Sequence, residues 1–173
     1  MLEAGGEQLA IISADLTFRA TRDAEGAWAY LGQGRVYPSL RKALREHTER
    51  LASMGIVWAA HFPPEFRDIA PGLRLLDDQD LVALARELYV EHLFCGHTYE
   101  QRRNILRGEP NLTVYCAGTA TQYCAPTPHV NFIHPTEIDV EGGKVIAVRW
   151  RRFGLDPNEN KVADEEAMNE LRE

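Results

Sequence analysis

Apolar residues along this chain fall into continuous blocks in its first two thirds and into alternating positions beyond. Three blocks, Gln8-Leu9-Ala10-Ile11-Ile12-Ser13-Ala14, Ile56-Val57-Trp58-Ala59-Ala60 and His92-Leu93-Phe94-Cys95, are short and bounded by Gly, Pro or charge. Runs of that length read as strands buried on both faces. Between the first two blocks, Leu40, Ala43, Leu44, His47, Leu51 and Met54 recur at spacings of three and four. This predicts one helix over 38–54, with Pro38 in its first turn and Gly55 ending it. A second stripe, Leu81, Leu84, Ala85 and Leu88, predicts a helix capped by Asp77 or Asp78. The order strand–helix–strand–helix–strand indicates an α/β unit with right-handed crossovers.

Beyond Asn111 the pattern changes. Residues 112–116, 129–140 and 144–153 read as strands, and Glu141-Gly142-Gly143 as a tight hairpin turn. Alternation of Val145, Ala147, Arg149 and Arg151 against Ile146, Val148, Trp150 and Arg152 predicts that one face of the last strand is buried. Residues 154–173 are polar and predict a frayed tail or a short surface helix near 164–171.

A chain of 173 residues is long enough for one domain that buries about 70% of its unfolded surface. The formal charge of −7 disfavours a general nucleic-acid surface, which needs clustered Lys and Arg. Local basic patches remain at Arg149, Arg151 and Arg152 and at Gln101-Arg102-Arg103, for which solvated charge is the simpler reading. Cys95, Cys116 and Cys124 have no C-x-x-C spacing and leave one unpaired. Two of them sit in apolar runs and read as small buried residues, and a reducing, cytoplasmic setting fits best. The acidic first residues lack the apolar segment of a signal peptide, and no apolar stretch approaches the ~20 residues of a membrane span.

The candidate chemistry lies in two histidines, each ending an apolar block. His61 precedes Phe62-Pro63-Pro64, and His97 follows Gly96 and precedes Thr98-Tyr99. Both fall at carboxyl ends of predicted strands, where open α/β sheets place ligands, and Gly96 is expected to provide a sharp turn before the second imidazole. A strand ending in His-x-Pro-Pro, followed by Gly-His on the next strand, resembles the calcineurin-like metallophosphoesterases. That resemblance covers residues 8–153 and implies the second half of a four-layer αββα sandwich with antiparallel C-terminal strands, 154–173 being a polar tail. It also implies hydrolysis of phosphomonoesters or phosphodiesters at a centre of divalent Mn, Fe or Zn, with His61, His97 and Tyr99 at ligand positions. Substrate identity within the phosphate esters is not legible, and catalytic residues are not assigned.

The family's Asp-x-His, Gly-Asp and Gly-Asn-His-Asp/Glu boxes, which supply the other ligands and the catalytic histidine, are absent from the sequence. Tyr99 stands where the family's second histidine belongs; a phenol with pKa near ~10 is a poor ligand for Mn²⁺ or Zn²⁺. Two neutral imidazoles hold at most one transition-metal ion, with waters or a borrowed carboxylate such as Asp15. Thr119 and Thr121 form a turn comparable to one near the family's site, while Arg67, Arg74 and Arg102 fall in predicted loops. His47, His92, His129 and His134 read as structural. Two functions follow as expectations: a hydrolase whose missing half comes from another chain or from a boundary that cut the gene product, or a catalytically inactive binding or structural subunit. Either way the halved sheet should leave an edge near residues 8–14 for a homo-oligomer or a partner chain.

Overall fold

The computed structural model describes residues 2–14, 21–23, 26–28, 36–64, 78–96, 102–117, 131–156 and 161–172. In chain order the elements are β1 (Leu2–Ala4), β2 (Glu7–Ala14), β3 (Thr21–Asp23), β4 (Gly26–Trp28), α1 (Val36–Glu46), α2 (Thr48–Leu51), β5 (Gly55–Ala60) and α3 (Asp78–Glu87). They continue as β6 (His92–Cys95), β7 (Arg102–Leu106), β8 (Leu112–Cys116), β9 (Asn131–Ile133), β10 (Thr136–Glu141), β11 (Lys144–Asp156) and β12 (Lys161–Arg172). The fold is mixed α/β, as the block pattern predicts. A six-stranded sheet runs β1-β2-β5-β6-β8-β7; its four inner strands are parallel and both edges antiparallel. A second, antiparallel sheet runs β10-β11-β12, with β9 also paired to β11.

Two cores result from burying the parallel strands on both sides. On one face Trp58, Ala60, Phe62, Leu93, Cys95, Leu112, Val114 and Cys116 pack with Leu44 of α1 and with Leu81, Leu84 and Ala85 of α3. On the other, Phe94 and Tyr115 meet Val148, Trp150, Ile138 and Val145 of the second sheet. The Phe94 and Tyr115 rings stack at 4.8 Å, and Trp150 meets Tyr115 edge-on at 5.7 Å, geometries that aromatic quadrupoles favour.

The helix expected over 38–54 begins at Val36 and breaks at His47, whose backbone (φ −109°, ψ 8°) leaves the helical range. Ala43 and His47 of the predicted stripe are exposed, while Leu44 and Met54 are buried. Pro38 sits in the first turn, where its missing N–H costs nothing. The α3 stripe is as predicted, with Leu81, Leu84 and Ala85 buried and Leu88 partly so. Its carboxyl end closes through a left-handed Tyr89 (φ 55°), and Val90 N–H donates to Ala85 C=O at 2.8 Å. Arg41 and Arg45 of α1 both bind the Glu87 carboxylate of α3, at 2.8 and 2.7 Å, and hold it below the usual carboxylate range.

Four further expectations are corrected. The strand predicted over 129–140 is two strands, because His134-Pro135 lies between β9 and β10 and Pro135 has no N–H for a ladder; residues 129 and 130 lie outside the described residues. The loop assigned to Arg102 is part of β7, paired along its length with β8. Residues 161–172 form β12 rather than a frayed tail or helix; the register sets Glu170 opposite Arg149 and Glu166 opposite Arg152. The alternation in β11 is interrupted: Asp139 pairs with Ala147 but Val140 with Val145, so Ile146 is an extra residue. This bulge reverses the parity, which is why Val145 and then Val148 and Trp150 all face the core while Ile146 is exposed.

The hairpin turn Gly142-Gly143 has two consecutive positive φ angles, 56° and 75°, the combination that two-residue hairpins require. The Glu7 carboxylate accepts from both glycine N–H groups at 3.3 and 3.4 Å, tying the second sheet to the start of β2. Nearby, the sheets approach most tightly at Gly55: a Cβ there would lie 2.9 Å from both Val140 methyl groups and 3.2 Å from Val145 Cγ2. Gly55→Ala is therefore expected to cost about 1–3 kcal/mol by overpacking, measured by urea denaturation. Adding Val140→Ala should return part of that loss; a purely additive double mutant would show that the contact is not the cause.

Candidate functional site

The parallel ladder sets Ala14, Ala60, Cys95 and Cys116 in one register row, since Ala14 pairs with Ala60, Ala60 with Cys95 and Cys95 with Cys116. The chain leaves four strands at the same level, so their following residues share one end of the sheet. His61 is the first residue past β5 and is exposed, whereas Phe62, Pro63 and Pro64 turn back into the protein and are buried. Phe62 lies edge-on to the imidazole at 5.0 Å. Two backbone bonds hold the row together beyond the strands: Gly96 N–H donates to His61 C=O at 3.1 Å, and Ala117 N–H to Cys95 C=O at 2.8 Å.

Gly96 packs directly beside the imidazole; a Cβ built on it would sit 3.5 Å from His61 Nδ1, an ordinary contact. Its φ is not positive, so it does not draw on the left-handed region, and the residues after it, where the expected turn would lead, lie outside the described residues. What Gly96 provides is proximity, carrying the chain past His61 immediately before His97. His97, Tyr99, Asp15, Thr119, Thr121, Arg67, Arg74, Cys124 and His129 lie outside the described residues. Among the described residues no group of three or more His, Cys, Asp or Glu side chains is placed to hold a metal ion. The strand order also runs in one direction, β2-β5-β6-β8, so the described sheet lacks the strand-order reversal that opens a ligand crevice in doubly wound folds.

Under His61, Cys95 and Cys116 occupy neighbouring register positions and are buried. Burial, and then the neighbouring thiol, push the Cys95 thiol upward, so it stays protonated and behaves as a small core residue. The basic patch foreseen at Arg149 is spent internally: its guanidinium binds Asp139 at 2.6 and 2.7 Å and Glu137 at 2.9 Å. This bidentate geometry holds Asp139 below its usual range and Arg149 above its own. The ring of His134 lies 4.7 Å from that of Trp150, in keeping with a structural role.

At the opposite end of the parallel strands a groove of about 740 Å³ opens between Leu51, Ile56, Leu88, Tyr89, His92 and the Gly142-Gly143 turn. His92 is 9% exposed, and its Nδ1 lies 3.3 Å from the Tyr115 hydroxyl. Burial, with a smaller contribution from Arg103, lowers its pKa from 6.5 to about 4. The sequence holds a weak signal for it, a titratable residue opening a block that is otherwise apolar.

No family model matches the sequence, and no curated protein matches it. Among solved structures the chain is similar to GAP50, described as the anchor in the inner membrane complex of Plasmodium (TM-score 0.42, 10% identity, 88% of this chain and 53% of that one). It is also similar to a dimetal phosphatase from Danio rerio (TM-score 0.44, 10% identity, 81% of this chain and 38% of that one). A double mutant of Vps29 from Entamoeba histolytica is a third (TM-score 0.38, 15% identity, 74% and 89%). The chain spans about half or less of the first two structures. At TM-scores below 0.5 these likenesses are too distant to carry an argument about this chain.

Because His92 is neutral in the folded protein down to pH of about 4, the unfolded chain binds the extra proton between about 6.5 and 4. Stability should therefore fall as pH falls through that window, and the displacement corresponds to about 3 kcal/mol. Urea midpoints measured from pH 7 to 4 for the wild type and His92→Gln should diverge in slope, the variant being flatter. Parallel curves would remove His92 from the account.

Proposed function

We propose that the shared carboxyl end of β5 and β6 carries half of a metallophosphoesterase-type centre, in which His61 and His97 are imidazole ligands of a divalent Mn, Fe or Zn ion. The observation that supports this reading is the close seat of Gly96 against the His61 ring, which brings the residue before His97 alongside the first imidazole. Neutral imidazoles suit these ions, and the exposed position of His61 leaves it accessible.

The donor set fits one ion and does not fit a two-metal centre. Clamping a phosphate ester between two dications needs bridging carboxylates, which His61, His97 and the phenol of Tyr99 do not provide. Hydrolysis of a phosphomonoester or phosphodiester therefore requires carboxylates and a proton donor beyond these three residues. The second reading, an inactive binding or structural subunit, is favoured by Tyr99 at the position of the family's second histidine.

Elemental mass spectrometry of the chain, purified without affinity-tag metals and reconstituted with Mn²⁺, Fe²⁺ or Zn²⁺, separates the two. A stoichiometry of about one ion per chain, lost in His61→Ala/His97→Ala, is the expected result, accompanied by a rise in Tm on adding the metal to the wild type. A metal-free protein whose Tm ignores all three ions would leave the inactive-subunit reading standing.

A further inference from the structure

The two edges of the six-stranded sheet are built differently. At one edge, β7 carries Arg102, Arg103 and Asn104, and the Asn104 side-chain oxygen accepts the next backbone N–H, that of Ile105, at 2.9 Å. Charge and a backbone group satisfied by its own side chain are how sheets discourage strands from adding. At the other edge β1 pairs only with Glu7, Gln8 and Leu9, after which β2 runs on to Ala14. Among the described residues the side of Ala10–Ala14 away from β5 has no strand beside it. That stretch, Ala-Ile-Ile-Ser-Ala, carries no charge, proline or bulge, and Ile11 is 47% exposed.

Such a sequence suits the interior of a sheet and is left at its margin. We infer that a second copy of this chain adds to it, the two β2 strands pairing antiparallel about a two-fold axis at Ile12. An isologous contact needs a self-complementary patch, and this one is: the axis sets Ala10 opposite Ala14, Ile11 opposite Ser13 and Ile12 opposite itself. No like charges face each other, and small residues flank large ones. The β1 hairpin fixes the register from outside, because Leu2 opposite Leu9 blocks any longer overlap. Only Ile11 and Ser13 turn their backbone groups to the open side, because those of Ala10, Ile12 and Ala14 face β5. The few ladder bonds and two isoleucines make a small interface, so the dimer is of modest affinity. This pairing is independent of whether His61 binds metal.

Sedimentation velocity of the full chain from about 5 to 500 µM tests it, with affinity in the range expected of a small interface. The wild type should shift from monomer to dimer across that range. Ile11→Lys, which puts a charge on a half-exposed position, should remain monomeric with a Tm close to the wild type at low concentration. Amide hydrogen exchange read at low and high concentration should show protection gained at Ile11 and Ser13, whose N–H groups face the open side. A wild type that stays monomeric throughout overturns the inference. So does a dimer that survives Ile11→Lys, or one whose amides at 11 and 13 gain no protection.

Discussion

Two-sided burial of β5, β6 and β8 is the constraint from which the rest of the molecule follows. A strand with Trp58 facing helices on one side and Gly55 facing Val140 on the other has no surface left for solvent. Its residues must then be apolar without interruption, the helices must supply a stripe, and the second sheet must come close enough to exclude water. Gly55 permits that approach, and the Glu7 carboxylate fastens the Gly142-Gly143 turn where the approach begins. The register row at the other end is a product of the same ladder. His61 projects where it does because Ala60 is locked between Ala14 and Cys95.

Much of this was legible in the residues, for reasons that can be named. Blocks such as 56–60 and 112–116 have one physical solution, so β5 and β8 fall where predicted. The α3 stripe does as well, since four apolar residues at helical spacing leave only one face to bury. What escaped were features decided by partners rather than by local pattern. β1 and β7 are short and polar, and become strands only because a neighbour offers a ladder. The edge expected along 8–14 is therefore covered at Glu7–Leu9 by β1, and among the described residues it is open only beyond. β12 is invisible for the same reason: its acidic sequence reads as solvated until β11 offers it a ladder. For the site, the pairing of the two strand ends was readable, whereas the close seat of Gly96 against the imidazole was not, because proximity and turn geometry both select glycine.

The two ends of the parallel strands differ in character. At the carboxyl end an exposed imidazole follows a strand that pairs with the buried Cys95, whose thiol burial keeps protonated. At the amino end an imidazole is sunk between sheets beside a phenol and kept neutral by desolvation. One imidazole is exposed and the other buried, and the length of one strand divides them.

The extra residue at Ile146 has an implication for how the chain tolerates changes of length. Because the alternation resumes in the opposite parity after the bulge, excising Ile146 leaves Val145, Val148 and Trp150 on the inward face. Most single-residue deletions in a half-buried strand turn its apolar side to water. Here the ribbon would straighten and lose one exposed isoleucine, and the core beneath it would keep every member. Residue 146 is a point at which the second sheet can gain or shed a residue without rewriting the first.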